Sequence, residues 1–119
     1  MTKIVEAFGL KDANATNLPL TNSLLNETFG EPMCAEEASR YRGLAARANY
    51  AAQDRPDLSL VSAVAASHMA APPVGAEQIL KKMARYLVGR ESAVNTFEWQ
   101  EMDKPKLTLH TDSDWATEV

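Results

Sequence analysis

Prolines set the first limit on this chain. Pro56 and the pair Pro72-Pro73 cut the stretch from Ala35 to Val88 into three segments, each patterned for a helix. Proline fixes its own φ and pushes the residue before it out of the helical region, so no continuous helix passes either point. Tyr41, Leu44, Ala45, Ala48 and Ala52 recur at helical spacing in the first segment. Leu60, Val61, Val64, Ala65, His68 and Met69 do so in the second, and Ile79, Leu80, Met83 and Leu87 in the third. The spacing predicts helices over residues 35–53, 56–71 and 75–88. Pro56 suits the first turn of the second helix, and Asp57 complements its positive end. Gly89 is placed to cap the third.

The flanks read differently. Lys3 to Phe8 predicts a short helix with Ile4, Val5 and Phe8 on one side and Gly9 as its stop. Leu10 to Pro32 is rich in Asn, Thr, Pro and Gly, which predicts an extended connector. So long a loop is uncommon inside a compact domain, so residues 1–9 are expected to belong to an upstream unit. After Gly89, Val94, Thr96, Phe97 and Trp99 favour extended structure. Glu101 to Pro105 reads as a turn, and Leu107-Thr108-Leu109-His110-Thr111 alternates with the period of a strand. The tail is therefore expected to form a β-hairpin with nothing to pair on its outer side.

The chain has 119 residues, of which 45% are hydrophobic, 24% charged and 7% aromatic, which suits one small globular domain with an alanine-rich core. The net charge of −4 excludes a uniformly basic nucleic-acid binder. Basic residues cluster locally instead. Lys81, Lys82, Arg85 and Arg90 follow one another with no acid between Gln78 and Arg90, and Arg40, Arg42 and Arg47 form a second stretch. The single cysteine, Cys34, excludes an internal disulfide and a multi-cysteine metal site. No apolar run approaches the roughly 20 residues that cross a bilayer. The N-terminus lacks the apolar segment of a signal peptide. An intracellular protein, cytoplasmic or nuclear and with no membrane partner, is expected.

Several short motifs then fall in order. Tyr41-Arg-Gly-Leu, Asn49-Tyr50 and Asp54-Arg-Pro-Asp57-Leu58 resemble the tyrosine-led helix, Thr-Arg-Pro-Asp turn and apolar helix of Copia-type LTR-retrotransposon Pol polyproteins. His68-Met-Ala-Ala-Pro72 is similar to that family's segment ending in proline. Arg85-Tyr-Leu-Val-Gly-Arg90 resembles its Arg-Tyr-Leu-Lys-Gly-Thr, and Thr111-Asp-Ser-Asp-Trp-Ala116 its Tyr-Ser-Asp-Ala-Asp-Trp-Ala. Lys3-Ile-Val-Glu-Ala-Phe-Gly-Leu10, followed by Asn17-Leu-Pro19, is similar to the stretch that closes the reverse transcriptase region. Asp54, Val88 and Arg90 stand where the family usually has threonine, lysine and threonine.

The resemblance implies an α+β chain. Residues 1–34 would be the end of the reverse transcriptase region and a connector. Residues 35–90 would be a three-helix thumb- or connection-like unit, and residues 91–119 the truncated beginning of an RNase H-like domain. The activity implied for the full-length parent is RNA-directed DNA synthesis and cleavage of RNA–DNA hybrids, with this piece inactive alone. The metal implied is Mg2+, held by acids at the ends of sheet strands. Asp112 matches the first catalytic aspartate and metal ligand of that pattern, and Asp114, two residues on, is the second candidate. No Asp-Asp pair of a polymerase site is present.

Lys81, Lys82, Arg85 and Arg90 are the candidate contacts to an RNA–DNA hybrid or template–primer duplex. Each has the ordinary alternative of a solvated helix face. Tyr86 and Trp99 could stack on bases, with core packing as the commoner fate. Arg55 and Asp57 are placed for a structural ion pair, and His68 for a packed core position. The competing functional class is a small stand-alone helical module that binds nucleic acid or a partner protein.

Overall fold

A computed structural model describes residues 2–25 and 30–111. Five α-helices are present among them: α1 (Thr2–Ala7), α2 (Asn22–Leu25), α3 (Ala35–Ala52), α4 (Ser59–Ser67) and α5 (Glu77–Gly89). Single 3-10 turns at Pro56–Leu58 and Val74–Ala76 lead into α4 and α5.

The core is built by α3, α4 and α5, with α1 laid against α3 and α5. Tyr41, Leu44, Ala45 and Ala48 of α3 meet Val61, Val64 and Ala65 of α4 and Ile79, Leu80, Met83, Ala84 and Leu87 of α5. Alanines at facing positions let the helix backbones approach closely, so this core relies on packing more than on large side chains. Burying any one of its larger apolar side chains contributes roughly 1.5–3 kcal/mol.

The first helix, expected to stand upstream of this unit, contributes Ile4 to the same core, where it is 1% exposed. Its end explains how it is fixed. Gly9 takes φ 61°, in the left-handed region. Its N–H reaches the Glu6 carbonyl (3.0 Å) and the Leu10 N–H reaches the Val5 carbonyl (3.2 Å). This pair of bonds is a Schellman close, which satisfies the last carbonyls and turns Leu10 back onto Val5.

The second helix is shorter and differently phased than the spacing predicts. It stops at Ser67, short of Ala71. The Ser67 hydroxyl donates to the Val64 carbonyl (2.7 Å), and the approaching Pro72 disfavours further helix. At the other end, the 3-10 turn places Leu58 in the core at 0% exposure. The buried stripe then runs Leu58, Val61, Ser62 and Ala65, and Leu60, expected inside, is 63% exposed. Ser62 is tolerated there because its hydroxyl donates to the Ser59 carbonyl (2.9 Å).

The expected β-hairpin is overturned. Among the described residues there is no β-strand, and the α+β class gives way to an all-helical one. The sole sheet-like contact among them is an isolated antiparallel bridge, Pro32 to Pro73, made by Met33 N–H to the Pro72 carbonyl and Val74 N–H to the Glu31 carbonyl (both 2.8 Å). It ties the entry to α3 to the link between α4 and α5.

Residues 91–111 run outside helices, and all of them are exposed. Their turn forms, with Lys104 N–H on the Glu101 carbonyl (3.2 Å) and Lys106 N–H on Gln100 Oε1 (2.9 Å). No ladder follows it. Strand preference expresses packing against neighbours, and Val94, Phe97, Trp99, Leu107 and Leu109 have none here.

Candidate nucleic-acid interface

The most elaborate polar cluster forms where the break between α3 and α4 meets the end of α5. Arg55 is 3% exposed. Its Nε donates to Asp57 Oδ1 (2.9 Å) and a terminal nitrogen to Oδ2 (2.7 Å). The same guanidinium reaches the carbonyls of Arg90 (3.1 Å) and Glu91 (3.3 Å), past the end of α5. Tyr86 donates its hydroxyl to Asp57 Oδ2 (2.8 Å). A planar fork is what lets one cation bridge a carboxylate and two carbonyls.

The hydrogen bonds from Arg55 hold the Asp57 carboxyl at about 2, below its usual value of 3.8. Arg55 is itself raised by the bond to Asp57. Burial raises Tyr86, and its bond to Asp57 adds to the effect. Among the described residues, no buried side-chain nitrogen or oxygen lacks a partner. This is a structural clasp, since every polar atom in it is spoken for.

The basic residues of α5 are placed in different ways. Arg85 Nε donates to the Asn14 carbonyl (3.0 Å), while the Thr16 N–H reaches the Arg85 carbonyl (3.3 Å). Arg85 thus pins the connector along α5. Arg90 lies over the Tyr86 ring (5.9 Å to the centroid). Lys81 sits 3.7 Å from Glu77 one turn earlier and 5.9 Å from the centre of the Phe8 ring. Lys82 takes part in no ion pair or hydrogen bond among the described residues, which leaves its ammonium available to an external anion.

The second basic stretch is also drawn on. Arg40 donates to the Ala7 carbonyl (3.0 Å) and faces Phe8 (5.7 Å). Arg42 donates to the carbonyls of Met69 (2.8 Å) and Ala70 (3.2 Å), beyond the end of α4. Arg47 joins no ion pair among the described residues. Arg40 and Arg47 are seven residues apart on α3 and share a side, a relationship legible in their spacing.

Tyr86 is 5% exposed and held by Asp57, so it packs rather than stacks on a base. Trp99 is 87% exposed. His68 is half-buried at the end of α4. Cys34 is an exposed free thiol. Asp112 and Asp114 lie outside the described residues. Among the described residues, no three His, Cys, Asp or Glu side chains gather about one point as metal ligands would. No helix among them is long and apolar enough to cross a membrane.

No protein-family model, curated protein or solved structure matches the chain.

Proposed function

We propose that the chain is the helical unit between the polymerase and RNase H parts of a Copia-type Pol polyprotein, and that its part is to hold a template–primer or RNA–DNA duplex rather than to catalyse. One observation carries the reading. The motif residues behind the resemblance, far apart in sequence, lock the helices to one another. Arg55 and Asp57 of the Arg-Pro-Asp turn meet Tyr86 and the Arg90 carbonyl of the Arg-Tyr-Leu-Val-Gly-Arg segment. Tyr41 of the Tyr-Arg-Gly-Leu segment donates its hydroxyl to the Ala65 carbonyl (2.7 Å). These are the roles that motif residues serve in a scaffold.

Lys82 is the side chain on α5 with charge to offer a phosphate backbone, since Lys81 is paired with Glu77 and Arg85 is committed to Asn14. Asp112 and Asp114 would, on the same reading, be partial ligands of a magnesium site completed by acids of the RNase H part.

Fluorescence anisotropy with a labelled RNA–DNA hybrid at two salt concentrations tests this. Binding should weaken steeply as salt rises, because each neutralised phosphate releases condensed counterions. Lys82→Glu should weaken it further at low salt. Absence of binding at low salt, or binding indifferent to Lys82→Glu, would remove the proposal.

A further inference from the structure

The short helix α1 leaves a groove beside α3. Ala46 and Ala51 give its apolar surface above the buried Ile4, and Lys3, Arg47 and Tyr50 line it with charge and an aromatic ring. Its volume is about 520 Å³, within the roughly 300–1,000 Å³ of small-ligand clefts. Tyr50 is 75% exposed, which leaves its ring open to a ligand. Lys3 and Arg47 enter no ion pair among the described residues. Glu6, one turn along α1 from Lys3, enters none either.

We propose that this groove binds a phosphorylated nucleobase, the base lying on Tyr50 and the phosphate between Lys3 and Arg47. The three features of the groove select this chemistry together. An apolar ligand would leave two cations unused at the rim. A bare anion would leave the Tyr50 face and the two alanines unused. A planar base stacks on an aromatic ring whatever its sequence, and its phosphate takes the charge. Farther along α1, Arg40 and Lys81 flank Phe8. Arg40 lies seven residues before Arg47 on α3, about 10 Å along the helix axis. Arg40 therefore puts a further cation on the same side of α3 as the groove. The site is separate from Lys82 and does not depend on duplex binding.

Amide NMR titrations of the full chain test the proposal, with adenosine 5′-monophosphate, adenosine, inorganic phosphate and a short oligodeoxyadenylate as probes. The monophosphate should shift the amides of Ala46, Arg47, Tyr50 and Ala51 at lower concentration than adenosine or phosphate. Tyr50→Ala should weaken its binding roughly 5- to 150-fold, the usual size of a lost stacking contact. Tyr50→Phe should retain it. Arg47→Gln should weaken the monophosphate and leave adenosine unchanged. Tighter binding of the oligonucleotide than of the monophosphate identifies a single strand as the ligand, and equal binding identifies a free nucleotide. Lys82→Glu should leave these shifts as they are, which separates this site from the duplex face. Equal affinity for adenosine and its monophosphate, no shifts localised to the groove, or an unaffected Tyr50→Ala variant would overturn it.

Discussion

Arg55 grips Asp57, two residues later, through two parallel hydrogen bonds of 2.9 and 2.7 Å, and both groups share one face of the α3–α4 break. The pair is asymmetric: the arginine side chain is 3% exposed and the aspartate 28%. Water therefore reaches the carboxylate but not the guanidinium.

Arg55→Met should accordingly cost more than a surface ion pair. It strips Asp57 of its main partner and leaves the Arg90 and Glu91 carbonyls without their donor. The expected loss is about 2–3 kcal/mol, below the usual figure for a fully buried pair because Asp57 stays partly hydrated. Arg55→Lys should recover little, since one ammonium cannot span both carboxylate oxygens and both carbonyls. Urea unfolding followed by circular dichroism measures both. A loss under 0.5 kcal/mol (about the size of an exposed pair) would show the clasp to be incidental.

Acid should loosen the same clasp. Asp57 titrates at about 2 in the fold against 3.8 in its ordinary state. A depressed carboxylate stabilises fully above its unfolded value and loses that contribution as pH falls from about 4 toward 2. With solvent contact allowed for, the contribution is on the order of 1–2 kcal/mol. Tyr86→Phe removes one donor to Asp57 and should move the acid-unfolding midpoint upward. An unchanged midpoint in that variant would mean that the Tyr86 bond does not hold the carboxylate ionised.

Alkali acts on a different residue. Burial raises Tyr41 from 10.0 to about 12, and its hydroxyl donates to the Ala65 carbonyl. The fold favours the protonated phenol, so this stabilisation is present below pH 10 and is lost as pH rises from about 10 to 12. Tyr41→Phe should flatten the alkaline limb of the stability curve. Ultraviolet difference titration alongside circular dichroism reads it, and an unaltered limb would place the alkaline transition elsewhere.

Two glycines should respond to alanine with opposite sign. Gly43 lies within α3, and a Cβ there would meet nothing within 4 Å. Gly43→Ala should stabilise by about 0.5–1 kcal/mol through helix propensity alone. Gly89 ends α5, and a Cβ there would lie 2.7 Å from the Ala15 Cβ. Gly89→Ala should destabilise by about 1–2 kcal/mol as the connector is pushed off. Thermal melts compare them directly, and the same sign for both would discount the Ala15 contact.

The helical part of this architecture was legible because its causes are local. Tyr41, Leu44, Ala45 and Ala48 fall on one stripe whatever surrounds them, and Arg55 and Asp57 are close enough in sequence to be paired on paper. Leu60 was misassigned because a 3-10 turn changes the angular step before the helix begins, and nothing in Pro56-Asp57-Leu58 announces that turn over an α-helical one. Gly89 is expected to cap the third helix and stands at its end; its φ is not positive, and its lack of a side chain instead admits Ala15. The tail failed for another reason. Extended preference at Val94 to Trp99 and alternation at Leu107 to Thr111 describe what those residues would do against a neighbouring strand, and no such neighbour is present among the described residues. Arg85 looked like a phosphate contact because its acceptor, Asn14, is 71 residues away. The groove at Tyr50 needed α1 to be folded onto α3 before it existed at all.

The docking of Asn14, Ala15 and Thr16 against Arg85 and Gly89 carries a consequence for synthesis. A nascent chain leaves the ribosome N-terminus first, and domains tend to fold in that order. Residues 14–16 precede α5 in the chain, and the bonds that hold them cannot form before α5 is made. Their settling must wait on translation of α5, so a ribosome stalled before that point would hold this connector still open to proteases and chaperones.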